Sequence, residues 1–252
     1  MNDTTEMKLG LKILREGKSK RIYVKDEHTL VLEFKDFVTA FDGARKDNVV
    51  GKGVINARIS AYLFRKLEES GIKTHFIEYD GCRRLLVKRL EMIPLEVIVR
   101  NYAYGSLLKR MPLFRSLDKL EPPIVEFHYK DDALHDPLVL REDVVRAGLL
   151  AEGEVEEVIE TSLRINEVLS KIFESKGLKF IDVKFEFGKD KDGELVLADE
   201  ITSDSFRVID SEGRHLDKEV YRRGGSPQEL ISRYMELLDK LGIEVCEDDL
   251  RC

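Results

Sequence analysis

The most constraining stretch of this chain is residues 180–188, Phe-Ile-Asp-Val-Lys-Phe-Glu-Phe-Gly. Alternate residues of an extended strand share a face, so Asp182, Lys184 and Glu186 project together while Ile181, Val183, Phe185 and Phe187 point towards a core. Asp192-Gly193 follows as a favoured two-residue hairpin turn. That turn would set Glu186 directly opposite Asp199. Two opposed carboxylates lie about 4.5–5.5 Å apart at Cβ and destabilise a sheet unless something compensates them. A divalent cation would do so, and Mg2+ held by one or two carboxylates plus phosphate oxygens is the usual arrangement at nucleotide sites. Two alternatives remain open: solvated charges on an exposed hairpin, or a longer loop between Gly188 and Gly193 that shifts the pairing. The continuation through residues 199–207, Asp-Glu-Ile-Thr-Ser-Asp-Ser-Phe-Arg, completes the second strand and adds acids, hydroxyls and an arginine.

Around this segment, 252 residues leave room for one large domain or two smaller ones sharing a cleft. At 42% hydrophobic the chain can bury a sizeable core, which excludes a disordered class. No apolar run approaches the roughly 18–20 residues of a membrane helix, and the polar start shows no signal peptide. A net charge of −7 argues against nucleic acid as a bulk partner. Cys82, Cys246 and Cys252 are odd in number and lack C-x-x-C spacing, which suits a reducing compartment with no zinc site or disulfide framework. The expectation is a soluble cytoplasmic protein without membrane or nucleic-acid partners. Its 36% charged residues, lone Gln228 and five asparagines hint at a thermophile tendency.

Residues 22–24 and 30–34 read as a hairpin. Ile59, Leu63 and Leu67 mark a helix ending at Gly71. Leu85–Val87 and Val97–Val99 read as strands flanking Pro94. Residues 110–128, with Pro112, Pro122 and Pro123, read as an irregular crossing. A long helix over 154–176 stops at Gly177. Two strands, a polar loop near 211–213 and a final helix over 227–241 complete an α+β pattern, expected as two lobes with a cleft.

Other motifs are weaker. Glu16-Gly-Lys-Ser-Lys-Arg-Ile-Tyr23 puts Gly17 beside Lys18 and Lys20, which can share a strand face. It suits either a phosphate cradle or a solvated basic strand. Gly51-Lys-Gly53 lacks the third glycine of a dinucleotide fingerprint. Glu186-Phe-Gly188 echoes the kinase D-F-G, but no H-R-D loop is present. Arg100 at a strand end before Gly105-Ser106 suits a phosphate monoester, or a plain strand-to-helix turn. Five histidines without H-x-x-x-H, and no G-x-S-x-G, make zinc and serine hydrolases poor readings. His135-Asp136-Pro137 is most economically a turn.

Taken together, these segments closely resemble the SAICAR synthetase family. The most specific blocks are Pro94–Ser106 and Ile181–Gly188, the latter matching D-x-K-x-E-[FI]-G. Supporting blocks are Glu16–Tyr23, Thr39–Gly43, Gly51–Ser60, Tyr129–Pro137 and Ala198–Asp210. The resemblance implies a two-lobed α+β fold: a smaller β-rich, nucleotide-covering lobe over residues 1–90 and a larger α/β lobe over 91–252 carrying metal and ribotide sites, with an ATP cleft between them. It implies that ATP, L-aspartate and the carboxylated aminoimidazole ribotide (CAIR) give the succinocarboxamide, ADP and phosphate in purine biosynthesis, through an acyl phosphate. Gly17, Lys18 and Lys20 would cover the ATP phosphates, Lys88 and Met92 would line the nucleotide site, and Glu186 and Asp199 would hold Mg2+. Arg100, Ser106 and Arg207 would bind the ribotide phosphate with Asp204 nearby; Asp42, Lys130 and Asp136 would line the substrate pocket. Lys184, with Asp182 in the same row, would steady phosphoryl charge. A homodimer is also implied. Three departures stand out: Tyr104 where the family usually has a small residue, Thr202-Ser203 for Ser-Pro, and Val208-Ile209 for Leu-Trp. A small-molecule kinase and a non-catalytic nucleotide sensor are the competing function classes.

Overall fold

The computed structural model describes residues 10–40, 44–246 and 249–251. Five strands build the first antiparallel sheet: β1 (Lys12–Glu16), β2 (Lys20–Val24), β3 (Thr29–Phe34), β6 (Phe76–Tyr79) and β7 (Arg84–Lys88), in the order β1-β2-β3-β7-β6. β2 and β3 form the hairpin expected from sequence, pairing Lys20 with Phe34 through Val24 with Leu30. A separate ribbon joins β4 (Phe37–Ala40) to β5 (Arg45–Asn48).

Helix α1 (Lys52–Glu69) follows the ribbon and buries Ile55, Ile59, Leu63, Phe64 and Leu67 completely. Each such side chain contributes roughly 1.5–3 kcal/mol on leaving water. The Gly51-Lys-Gly53 motif has a packing explanation. Gly51 caps the helix at φ +86°, and a Cβ on Gly53 would lie 2.5 Å from the Phe34 carbonyl oxygen. These glycines let α1 start against the end of β3, with the Gly53 amide donating to Asp36 Oδ1 at 2.9 Å.

The second sheet contains β8 (Glu91–Tyr102), β9 (Lys119–Tyr129), β10 (Leu138–Val139), β11 (Lys179–Lys189) and β12 (Leu195–Ala198), in the order β10-β9-β8-β11-β12, with β13 (Phe206–Ile209) also paired to β11. Helices α2 (Ser106–Arg110), α3 (Arg141–Arg146), α4 (Glu152–Glu174), α5 (Glu219–Arg222) and α6 (Pro227–Leu241) complete the fold. α4 lays Val155, Val158, Ile165, Leu169 and Phe173 into the core, Phe173 stacking on Phe180 of β11 at 4.8 Å between ring centroids. α6 begins where the Ser226 hydroxyl accepts from the Glu229 amide and ends at Gly242 in the left-handed region. Strands before residue 90 lie in the first sheet or the ribbon, and those after it in the second. One continuous apolar cluster nevertheless runs from Leu32 to Leu241. The Lys73–His75 segment clasps Leu197 of β12 through two backbone hydrogen bonds of 2.9 and 3.1 Å.

Several sequence expectations need correcting. Pro94 does not separate two strands: β8 runs through it, because Pro94 falls where the β8–β11 register jumps between Glu96 and Met92. Residues 119–129 are strand β9, not an irregular crossing. Pro122 and Pro123 sit in the gap between Lys119 and Ile124, where β8 asks for no amide donor. Three strands, not two, follow α4, because the chain leaves β12 at Ala198 and regains extended pairing only at Phe206. A bulge at Ile181 puts Phe180 in the main core and Ile181 in a small cluster with Tyr104 and Ile209. Cys82 is disulfide-bonded, against the expectation of none: absence of C-x-x-C spacing does not preclude a disulfide. Cys246 is free and exposed.

Two glycine substitutions test this packing in opposite senses. Gly53→Ala forces its Cβ onto Phe34 backbone and should lower the unfolding free energy by about 1–3 kcal/mol. Gly153→Ala, in the first turn of α4 with nothing within 4 Å, should raise it by roughly 0.4–1 kcal/mol. Denaturant titration of both variants checks the pair.

Candidate active site

The Asp182-Lys184-Glu186 row of β11 lies in a network of buried charge. The hairpin register is one residue away from that expected: Glu186 pairs with Ala198, not Asp199. The cause is a five-residue loop, 190–194, organised by the Asp190 carboxylate, which accepts from the Asp192 and Glu194 amides at 3.0 Å each. Asp199 should then face away from Glu186 by strand alternation. It is instead in the left-handed region at φ +60°, which takes it out of the β12 pattern, and its charge acts directly on Glu186.

The carboxylate directly opposite Glu186 is Glu96 of β8. Three lysines compensate these acids. Lys130 pairs with Glu186, Lys20 with Asp199, and Lys184 with Glu96. Lys184 Nζ also lies 3.6 Å from Glu186 Oε1, and Lys20 Nζ 3.4 Å from Glu200 Oε2. Burial, reinforced by Asp199, pushes the Glu186 carboxyl up. Burial also works against ionisation of Asp199, but the charges of Lys20, Lys130 and Lys184 outweigh it and hold that carboxyl well below the usual range. Lys20 and Lys184 resist desolvation in the same way and stay charged above the ordinary lysine value.

This donor set fits Mg2+. Glu186 is buried and Asp199 partly so, the two repel each other and come from one hairpin, and Glu200 Oε2 beside them is buried without a hydrogen bond. Among the described residues no three His, Cys, Asp or Glu side chains converge as a complete metal site. A cation here would draw its other ligands from phosphate oxygens and water, as Mg2+ commonly does.

The other end of the row is built around guanidinium groups. Asp182 Oδ2 accepts from Arg207 Nη1 at 2.8 Å and from Arg100 Nη1 at 3.1 Å. Arg100 is buried, with Nε and Nη2 donating to the two oxygens of Glu126 at 2.7 and 3.0 Å and Nη2 donating to Ser106 Oγ at 2.9 Å. Glu126 also takes Arg110 and His128, and despite burial these partners hold its carboxyl far below the usual range. Arg207 Nε donates to Glu219 Oε2 at 3.1 Å. A Cβ on Gly105, which has φ +59°, would lie 3.2 Å from Arg207 Nη2, so glycine is what lets the arginine lie against this turn.

These groups border a cleft of about 380 Å³ whose walls include Lys18, Arg100, Ser106, Asp136, Asp182, Lys184, Asp204 and Arg207. Lys20, Lys130, Glu186 and Asp199 join it through Lys184 and Glu200, which also line it. Lys18 and Lys20 do not share a strand: Lys18 precedes β2 in an exposed pair with Asp132 at 2.8 Å, whereas Lys20 is buried. The Gly17 amide closes the turn between them by donating to the Lys20 carbonyl at 2.8 Å. Lys88 Nζ reaches the Thr74 carbonyl at 3.4 Å, and Met92 is exposed on β8. Asp136 Oδ1 accepts from the Asp131 amide at 2.9 Å. Asp204 is caged by Lys52 at 2.5 Å, Tyr234 at 2.7 Å and Asn56 at 3.3 Å. Asp42 lies outside the described residues.

Cleft or network residues that escaped the sequence reading include Glu96, Glu126, Glu200, Lys218 and Arg222. Lys218 and Arg222 are four apart at the two ends of α5, so helical spacing could have paired them, but a four-residue helix gives no periodic signal. Lys218 Nζ has no hydrogen-bond or ion-pair partner among the described residues, and burial lowers its pKa.

A family profile described as SAICAR synthetase matches residues 13–238. The phosphoribosylaminoimidazole-succinocarboxamide synthase of Caldivirga maquilingensis is 52% identical, the match covering 92% of this chain and 96% of that protein. A solved SAICAR synthetase in complex with ADP has a TM-score of 0.88 and 44% identity, covering 92% of this chain and 99% of its own. The crystal structure from Ehrlichia chaffeensis also has a TM-score of 0.88, at 38% identity, covering 93% and 100%.

His75 lies under the site and donates from Nε2 to the Asp199 carbonyl at 3.1 Å. Burial drives its pKa down to about 4 from 6.5. The unfolded chain therefore binds the extra proton first, and the native state loses stability as pH falls from about 6.5 to about 4. The full effect is about 3 kcal/mol. In His75→Asn that segment of the stability–pH curve should flatten, as read by denaturant unfolding at pH 7, 5.5 and 4.5.

Proposed function

The chain belongs to the SAICAR synthetase family, and on that premise we propose that it joins L-aspartate to the carboxylate of CAIR, consuming ATP and releasing the succinocarboxamide, ADP and phosphate. The observation that carries the reading is the pairing of buried Glu186 and partly buried Asp199 with Lys130 and Lys20, and of Glu96 with Lys184. Such a cluster is costly for a fold that has no anion to receive. It suits a site where a triphosphate and a metal ion exchange places with the internal ion pairs.

A carboxylate is a poor electrophile. Transfer of the ATP γ-phosphoryl group onto the CAIR carboxylate gives an acyl phosphate and ADP. The amine of aspartate then attacks the acyl carbon, loses a proton and expels phosphate, leaving the amide. Little covalent chemistry falls to the protein, whose task is positioning and charge stabilisation. Lys20, Lys130 and Lys184 would hold the transferring phosphoryl group, and Gly17 and Lys18 would cover the nucleotide phosphates with Lys88 and Met92 alongside. Mg2+ held by Glu186 and Asp199 would neutralise phosphate charge.

Arg207 and Ser106 would take the ribotide phosphate. Arg207 Nη2 has no protein acceptor among the described residues, and Ser106 Oγ, already accepting from Arg100, keeps its proton to donate. Arg100 spends its donors on Glu126, Asp182 and Ser106, so it would serve this phosphate chiefly by fixing the serine. Asp42, Asp136 and Asp204 would complete the ribotide pocket, and Asp182 would hold the two arginines together. Lys218, with no hydrogen-bond or ion-pair partner among the described residues, and Arg222 would receive aspartate carboxylates. The same reading includes a nucleotide-covering lobe over residues 1–90, a lobe with the metal and ribotide sites over 91–252, a homodimer and a cytoplasmic setting. In support, the two main sheets divide near residue 90.

ADP release decides between the function classes. Sustained release should need both CAIR and aspartate. Turnover independent of aspartate would mean a kinase, and no ADP under any condition a sensor. Glu186→Gln and Asp199→Asn should each cut Mg2+-dependent turnover by about 100-fold or more while CAIR still binds. Full activity in both would remove the metal assignment.

A further inference from the structure

Tyr104 lies beside the proposed ribotide-phosphate site without entering the chemistry above. Its ring is buried, with the Arg207 guanidinium 5.3 Å and the Arg223 guanidinium 5.7 Å from the ring centroid. Both distances fall within the range of about 6 Å at which an aromatic face attracts a cation. The hydroxyl is held as firmly as the ring. Arg223 donates to Tyr104 Oη, and Oη lies 2.9 Å from His215 Nε2. His215 Nδ1 in turn lies 2.9 Å from Asp217 Oδ2. Asp217 is fully buried and is itself fixed by the Val208 and Glu219 amides at 2.9 and 2.7 Å.

The proton order of this chain is unambiguous for a neutral imidazole. Asp217 can only accept, so His215 Nδ1 donates to it. Nε2 is then left to accept from the Tyr104 hydroxyl, whose oxygen accepts from Arg223. The hydroxyl is thereby fixed at the edge of the ring, and the Arg207 guanidinium lies 5.3 Å from its centroid. Arg207 is otherwise held by Asp182 at Nη1 and by Glu219 at Nε. The Tyr104 ring is a further contact of that guanidinium.

We propose that Tyr104 is a positioning residue for the substrate phosphate, its ring holding Arg207 at the angle that presents Nη2 to the anion, and the Arg223–Tyr104–His215–Asp217 chain holding the ring. This rests on the reading of Arg207 as a phosphate ligand, and three variants separate the two claims. Tyr104→Phe keeps the ring and removes the hydroxyl. Tyr104→Ala removes the ring. Arg207→Ala removes the cation.

The measurements are kcat, KM for CAIR and KM for ATP, together with competitive inhibition by ribose 5-phosphate as a probe of the phosphate site alone. Tyr104→Ala should raise the KM for CAIR and the inhibition constant for ribose 5-phosphate together, by about five- to tenfold. KM for ATP and kcat at saturating CAIR should stay within about twofold, and Tyr104→Phe should recover most of the loss. Unchanged CAIR and ribose 5-phosphate constants in Tyr104→Ala, while Arg207→Ala weakens both, would overturn the positioning role and leave the phosphate reading intact. Unchanged constants in Arg207→Ala would instead overturn the phosphate reading itself. Equal losses in kcat and in both KM values for Tyr104→Ala, with a lowered melting temperature, would show that the ring only supports the fold and would also overturn the proposal.

Discussion

Charge compensation along one buried strand is the constraint on which the rest of this site depends. β11 carries Asp182, Lys184 and Glu186 on the face away from the main core, and Asp182 and Glu186 are almost wholly buried. Taking an ion out of water costs several kcal/mol even after relaxation. None of the three could remain charged there alone. Arg100 and Arg207 answer Asp182, Lys130 answers Glu186, and Glu96 answers Lys184. The partners come from β8, β13 and the turn after β9, so the electrostatics of one strand dictate which elements must surround it. Breaking one of these pairs should be far more damaging than replacing a whole pair with apolar residues, because a lone buried charge is the expensive state. A fold selected for stability alone would have no use for such a row.

Two backbone irregularities make the row usable. The jump in register between β8 and β11 lets β8 carry Pro94, whose carbonyl accepts from the Lys130 amide at 3.0 Å and so brings that lysine to Glu186. The left-handed conformation of Asp199 does more. Regular strand geometry would send its carboxylate to the opposite face from Glu186. A non-glycine residue at positive φ is uncommon and is stabilised by its surroundings, here by Lys20 on the side chain and His75 on the carbonyl. The two carboxylates therefore meet because a local rule of the sheet is broken, and such departures concentrate at functional sites.

This explains how much was legible in the sequence. Period-two alternation in 180–188 and helical periodicity in α1, α4 and α6 are local properties, and they located the main strand, the long helices and the face that carries the chemistry. The expectation that Glu186 and Asp199 act together rested on a two-residue turn. The chain instead forms a five-residue loop because Asp190 hydrogen-bonds two amides ahead of it, so the pairing of the two acids came from the wrong register. Pro122 and Pro123 misled for a related reason. Proline is excluded from regular ladders, but β9 takes them where its partner strand skips residues, and no property of residues 110–128 alone announces that gap. Glu126 and Lys218 were missed because their importance lies in what the fold brings to them: two arginines and a histidine for one, and no partner among the described residues for the other.

The net charge of −7 looks at first like the wrong sign for an enzyme of polyanionic substrates. The distribution resolves the conflict. Each described cleft acid is held by at least one cation or backbone donor of the protein, whereas Lys218 and the Nη2 edge of Arg207 have no protein acceptor among the described residues. An incoming phosphate therefore meets donors that are unsatisfied, while the acids it would repel are already neutralised by their partners. Unpaired donors in a low-dielectric cleft attract an anion more strongly than the same charges spread over a wet surface. The surplus of acid lies outside this cleft, where solvent screening leaves it little weight in the field inside.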